Sequence, residues 1–210
     1  CHGNQIKGEE MTRLVNSLPD RTGKKAGKFT VVQEPALEGN ICLKSDVAIA
    51  KGKNWNTLKY KSDTRKYVAY EGTNSLKVTL TKEGEGTLTA TGAADLNAVL
   101  EGTELTIVAT PADGYKLTAL TANGTDILAT KKLSVREDTE IKATFTKKTF
   151  AVKLTKEGEG TITATGASNL NSVAYGTELT INATPATGYE LTALTANGTD
   201  ILATKKFVVK

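Results

Sequence analysis

The chain has 210 residues, 39% of them hydrophobic and 24% charged, a composition that excludes wholesale disorder and allows one or two ordinary domains or several small ones. Aromatic residues make up 5% and no apolar run reaches the roughly 18 residues of a membrane-spanning helix, so the cores rest on Leu, Ile, Val and Ala. The net charge of +4 is confined to the first third: residues 1–75 carry 13 Lys and Arg against 8 Asp and Glu, residues 76–149 carry 9 against 10, and residues 150–210 carry 5 against 5. No recognition-helix pattern and no aromatic RNA-binding strands accompany that surplus, so it argues for an anionic membrane surface rather than nucleic acid.

Taken in order, the chain begins with Cys1, then the polar tract Gly3-Asn4-Gln5 and the group Gly8-Glu9-Glu10. This beginning is similar to that of mature bacterial lipoproteins. The resemblance implies lipid on the Cys1 thiol, a membrane as the first partner, and a lipid-anchored place at the bacterial outer membrane or cell surface. The alternative is an ordinary cysteine paired with Cys42. Residues 1–28 read as a tether with one short amphipathic helix: Met11, Leu14, Val15 and Leu18 fall at i, i+3, i+4 and i+7, with Glu9 and Glu10 before them and Pro19 behind. Two turns are not stable alone, so the helix either docks or frays.

Residues 29–75 read as a small β-rich segment built on the runs Phe29-Thr30-Val31-Val32, Ile41-Cys42-Leu43, Val47-Ala48-Ile49-Ala50 and Tyr67-Val68-Ala69-Tyr70, punctuated by Pro35, Gly39, Gly52 and Gly72. Cys42 is expected to be a buried, inert thiol. Between the runs lies a basic and aromatic patch of Lys51, Lys53, Trp55, Lys59, Tyr60 and Lys61, around the only tryptophan of the chain. Such a patch can bind a glycan, an anionic headgroup or a partner protein. The favoured reading is plainer: Trp55 and Tyr60 form local core and the lysines are solvated.

From residue 76 the chain repeats itself. The stretch Lys82-Glu83-Gly84-Glu85-Gly86-Thr87 returns as Lys156-Glu157-Gly158-Glu159-Gly160-Thr161, 74 residues later and without insertion or deletion. Of the 61 positions comparable between 76–136 and 150–210, 46 are identical, which defines repeat one (76–149) and repeat two (150–210) as tandem modules. Each unit alternates short apolar-polar runs with turn residues, the pattern of an all-β module. Leu105, Ile107 and Ala109 are expected on one face of a strand, with Val108 facing out. Asn123-Gly124 is the strongest hairpin signal in the sequence. Differences between the copies support these facings. Val108 becomes Asn182 on the outward face, whereas inward Leu105 and Ile107 recur as Leu179 and Ile181.

The order of the glycine turn, Gly102-Thr103, Pro111, Gly114-Tyr115 and Asp138-Thr139 to Ala143 and Phe145 resembles the divergent internalin-B-type B-repeat. In repeat two the same motif is carried by Gly158, Gly160, Gly176, Thr177, Pro185, Gly188 and Tyr189. The family's tryptophan after the Gly-Tyr pair is replaced by Leu120 and Leu194. The resemblance covers 76–210 and implies a surface spacer or interaction module without catalytic residues. Repeat two has no counterpart of Glu137 to Phe145, which leaves an open sheet edge. Either the natural chain continues past Lys210, or a partner supplies the strand.

The chemistry-bearing residues are few. His2 is the sole histidine, so no histidine-based triad or zinc cage is expected. The carboxylates beside Gly84 and Gly86 would repel a phosphate, and no Gly-Lys-Ser/Thr follows, so the stretch is not a phosphate loop. Glu83 with Glu85 and Glu157 with Glu159 read as solvated carboxylates rather than calcium ligands. The Asn-x-Thr sequences at Asn123 and Asn182 carry little weight in a bacterial chain. No cofactor and no metal is expected. The reading is a non-enzymatic lipoprotein whose repeats serve adhesion or act as a spacer, with a protein partner in the outer membrane or on a host or cell surface. The alternative is an accessory lipoprotein subunit of an outer-membrane assembly for secretion, insertion or nutrient uptake.

Overall fold

The computed structural model describes residues 4–34 and 39–210, so Cys1 and His2 lie outside the described residues. Two compact units emerge. One takes the described residues up to Thr79 with Gly92–Leu105 and Ser134–Thr139, and the other takes Leu80–Thr91, Thr106–Leu133 and Glu140–Lys210. The division runs through repeat one rather than between the repeats.

The amino-terminal part of the first unit holds α1 (Glu9–Asn16), β1 (Gly27–Glu34), α2 (Lys44–Gly52), β2 (Trp55–Lys61) and β3 (Lys66–Ala69). The three strands form one sheet in the order β1-β2-β3, with β1 and β2 parallel and β2 and β3 antiparallel. A parallel pair cannot be closed by a tight turn and needs a crossover, which α2 supplies. Here the sequence reading needs correction, because Val47 to Ala50 are helical and not a strand. A four-residue apolar run has no period of its own, and its neighbours decide. Asp46, in the first turn of α2, accepts the Leu43 backbone N–H at 3.1 Å and the Thr12 hydroxyl at 2.7 Å, which caps α2 and ties it to α1. Val47 and Ala50, one turn apart, then face the core.

The helix expected at Met11 to Leu18 forms as α1, and it docks. Met11 and Val15 are fully buried with Val31, Cys42, Val47 and Ala50. The described part of the expected tether is also tied down. Trp55 Nε1 donates to Pro19 O at 2.8 Å, and Asn54 Nδ2 donates to Arg21 O at 3.0 Å and to Lys24 O at 2.7 Å.

Repeat one contains β4 (Ser75–Leu76), β5 (Val78–Glu83), β6 (Gly86–Thr91), β7 (Val99–Leu100), β8 (Glu104–Pro111), β9 (Tyr115–Ala122), β10 (Thr125–Asp126), β11 (Lys132–Ser134) and β12 (Thr139–Lys147). They form sheets in the orders β10-β9-β12-β5, β11-β8-β6 and β4-β7. The expected facings of β8 hold: Leu105 and Ile107 are buried, while Val108 is 46% exposed. The Asn-Gly hairpin joins β9 to β10, with Asn123 and Gly124 both at positive φ (45° and 81°), as a two-residue turn between twisted strands requires.

Repeat two contains β13 (Thr149–Phe150), β14 (Gly160–Thr165), β15 (Val173–Ala174), β16 (Glu178–Pro185), β17 (Thr195–Ala196), β18 (Thr199–Asp200) and β19 (Lys206–Val208). Its sheets are β14-β16-β19, β13-β15 and β17-β18. The first two reproduce sheets of repeat one, down to the short pair that links the segment before each repeat to the turn within it (Leu76 with Val99, Phe150 with Val173). The chain is all-β apart from two short helices among the described residues.

Candidate functional site

The lipid-attachment residue Cys1 lies outside the described residues. Cys42 is fully buried, and its thiol is pushed up from 9.0 to about 12 by burial and by the nearby Asp46 carboxylate. It is a neutral core group at physiological pH.

The basic and aromatic patch is assembled in the first unit, and each member has a partner within the molecule. Lys51 Nζ pairs with Glu71 at 2.6 Å. Lys59 and Lys61 flank the single Glu34 carboxylate at 3.0 and 3.8 Å, and the Lys59 hydrogen bond and charge hold that carboxyl below its ordinary range. Lys53 Nζ donates to the carbonyls of Asn16 and Leu18, which close the carboxyl-terminal end of α1. Trp55 packs against the core with its ring over Gly27 and the Arg21 guanidinium 5.5 Å from its centroid, while Tyr60 pairs with Tyr67 at 5.1 Å between centroids. Trp55, Lys59 and Lys61 stand at alternate positions of β2, and Tyr60 points to the opposite face. The geometry thus gives these residues structural work and divides them between two faces of the sheet.

Of the carboxylates in the glycine turns, Glu83 is held by Lys142 Nζ at 2.5 Å. Among the described residues no group of three or more His, Cys, Asp or Glu is placed to hold a metal ion.

A contact that sequence reasoning missed lies where repeat two follows repeat one. Tyr175 occupies the position of Glu101 in repeat one. Its ring covers Gly114, where a Cβ would stand 2.2 Å from it, and its hydroxyl bonds the Asp113 carboxylate. That bond raises the pKa of the Tyr175 hydroxyl. The signal was present among the positions where the copies differ, since Glu101 becomes Tyr175 and Asp113 becomes Thr187. Residues that serve a junction need not recur where the junction does not.

Two adjoining openings lie in repeat two. In repeat one β12 runs between β9 and β5 and buries Thr139, Ile141, Ala143 and Phe145, with Ile141 opposite Ala122 and Ala143 opposite Leu120. Its outward side is anchored by three polar groups. Asn123 Oδ1 accepts Glu140 N–H at 2.8 Å, Thr81 Oγ1 donates to Glu140 at 2.9 Å, and Glu83 holds Lys142. In repeat two the corresponding walls, residues 151–157 and 189–194, carry no strand ladder. Between and beside them lies a cleft of about 540 Å3, continuous through Thr155, Ile162, Leu194 and Thr195 with a second of about 500 Å3. Tyr189 is 57% exposed where Tyr115 is half-buried, and Val152 is half-buried where Val78 is 3% exposed. The three polar anchors have the counterparts Asn197, Thr155 and Glu157 in repeat two.

Compared with known proteins, a family model described as "Divergent InlB B-repeat domain" matches residues 76–149 and 150–210. No curated relative and no solved structure matches the chain.

Proposed function

The chain belongs, over its two repeats, to the divergent InlB B-repeat family, and from that premise we propose that it is a non-catalytic, surface-associated bacterial protein, lipid-anchored through Cys1, whose repeats hold a binding surface away from the membrane. The observation that carries this reading is the tandem pair itself. Both repeats place the same short strand pair before the body of the module, so the array extends by repeating one connection rather than by inventing another. The basic surplus of residues 1–75 suits the membrane-proximal end, where each Lys or Arg near an anionic surface contributes about 1 kcal/mol. A lipid on Cys1 would supply about 0.8 kcal/mol per buried methylene, and two or three acyl chains anchor stably where one does not. A role in adhesion or as a spacer follows from such an arrangement.

The test is protein extracted in mild detergent from its native membrane. An intact mass above the polypeptide mass by whole acyl groups, with a modified Cys1 peptide, is the expected result, and an unmodified Cys1 in that preparation removes the anchor. A stoichiometric membrane-protein partner in the same extract would replace adhesion by the accessory-subunit role in an outer-membrane assembly.

A further inference from the structure

We propose that the loop from Asp20 to Lys28 is a docking surface for the anionic phospholipid headgroups of a membrane, with Lys24, Lys25 and Lys28 as its contacts. The structure divides the cations of residues 1–75 into neutralised and free ones. Lys51 pairs with Glu71, Lys59 and Lys61 with Glu34, and Arg13 with Glu9. Lys24, Lys25 and Lys28 are exposed, and none of the three forms an ion pair with a carboxylate among the described residues. The carboxylate within the loop is Asp20, whose Oδ1 accepts the Thr22 N–H at 2.8 Å. The Thr22 hydrogen bonds, and then the charges of Lys53 and Lys24, hold that carboxyl below its ordinary range. With Arg21 the loop carries four cations against this one carboxylate. The lysine charge that is free to meet a ligand therefore lies before β1 and not in the patch at 51–61.

Neighbouring elements fix the backbone of this loop. Asn54, at φ 59°, stands between α2 and β2, and its side-chain amide donates to Arg21 O and Lys24 O. Its carbonyl accepts the Gly27 N–H at 3.0 Å, and the Arg21 N–H donates to Lys53 O at 3.0 Å. A loop already ordered loses little freedom when its lysines meet a charged layer. The groups left free select the ligand. Arg21 Nε and Nη2 both donate to Lys25 O, so the planar fork of the loop is engaged, and the Trp55 ring is taken up by Arg21, Gly27 and the core. What remains are lysine ammonium groups, point charges on flexible stems, which suit a fluid layer of phosphates rather than a stacked base or a bidentate partner. The described start of the chain is held beside the same strand. Ile6 N–H donates to Asn40 Oδ1 at 2.9 Å, and Asn40 Nδ2 donates to Val31 O at 3.2 Å, three residues or about 10 Å along β1 from Lys28. An anchor on Cys1 would therefore bring this end of the sheet to the membrane. The inference rests on the reading that the chain works at a membrane, but not on lipid at Cys1.

The experiment uses the 210-residue chain with Cys1→Ser, so that no acyl chain contributes and a failure of the lipid anchor is read separately from a failure of this surface. Flotation at low salt compares vesicles of phosphatidylcholine containing about one third phosphatidylglycerol with vesicles of phosphatidylcholine alone. Binding to the anionic vesicles only, lost as salt rises to about 0.5 M, is expected. Lys24→Gln, Lys25→Gln and Lys28→Gln together should weaken it by about fivefold per lysine and so by about a hundredfold. Lys51→Gln, Lys59→Gln and Lys61→Gln together remove the same charge from neutralised positions and should weaken binding by less than about fivefold. The two triple variants are compared once circular dichroism shows both folded. No binding to anionic vesicles, equal binding to neutral ones, or equal losses in the two triple variants overturns the surface. Displacement by about 10 mM inorganic phosphate beyond that by chloride of equal ionic strength would assign the loop to free phosphate. Tighter binding to duplex DNA than to the vesicles would assign it to nucleic acid, and either result overturns the membrane assignment.

Discussion

Gly84 and Gly158 occupy the same place in the two repeats and meet different surroundings, which makes them a measure of what β12 contributes. Both have φ near +75°, so a methyl group at either costs about 1–2 kcal/mol of backbone strain. At Gly84 the methyl also meets the Phe145 carbonyl, and β12 must shift. Gly84→Ala is expected to lower stability by about 3 kcal/mol and Gly158→Ala by about 1 kcal/mol, measured as urea midpoints. Equal losses would show that β12 does not press on the turn. At Cys42 the folded pKa lies above the unfolded one, so the group favours the fold fully below pH 9 and this contribution is lost as pH rises toward about 12. The first unit should therefore weaken in alkali over that window, and the native thiol should resist alkylation until the unit unfolds. Cys42→Ala abolishing the alkaline loss is the check, and an unchanged pH profile would assign it to other groups.

At the scale of elements, the helices of the first unit stand on one buried carboxylate. Asp46 is 1% exposed and serves both the amino-terminal end of α2 and the Thr12 hydroxyl of α1. Asp46→Ala is expected to cost about 2–3 kcal/mol, with loss of helical circular dichroism preceding loss of the repeats' β signal. A loss under 0.5 kcal/mol would refute the pin, since two part-buried donors would then be left without cost. The sequence showed α1 because four apolar residues kept a 3.6-residue period over two turns. It did not show α2, because Val47 to Ala50 are too few to express either period, and the choice was made by Asp46 and by the need to cross between parallel strands. The patch at 51–61 was legible as a cluster in the sequence but not as a surface, because β2 sends neighbouring residues to opposite faces.

For the whole molecule, a near-identical sequence has two outcomes. Residues 116–120 are strand in repeat one, and their counterparts 190–194 are not in repeat two. A strand is stabilised by its neighbours, and in repeat two the central neighbour is not among residues 150–210. Amides at 190–194 are therefore expected to exchange faster than those at 116–120 by at least about tenfold, read by hydrogen exchange. Comparable rates would mean that the walls close on each other. Tyr175→Glu, which installs the repeat-one residue at the junction, should leave both repeats folded while giving them separate rotational correlation times. Unchanged correlation times would show that the ring on Gly114 does not order the junction.

Features that depend on local period and turn chemistry were legible in the residues alone. That covers the 74-residue repeat, the inward and outward faces of β8 and β16, the Asn-Gly hairpins and the all-β class. These properties are set within a few residues of each other, so the residues carry them wherever the segment is placed. Which segments found partners was settled by tertiary structure: α1 against the sheet, Tyr175 against Asp113 and Gly114, and β12 between β9 and β5. Pairing is a property of two distant stretches at once, and no period within either one records it.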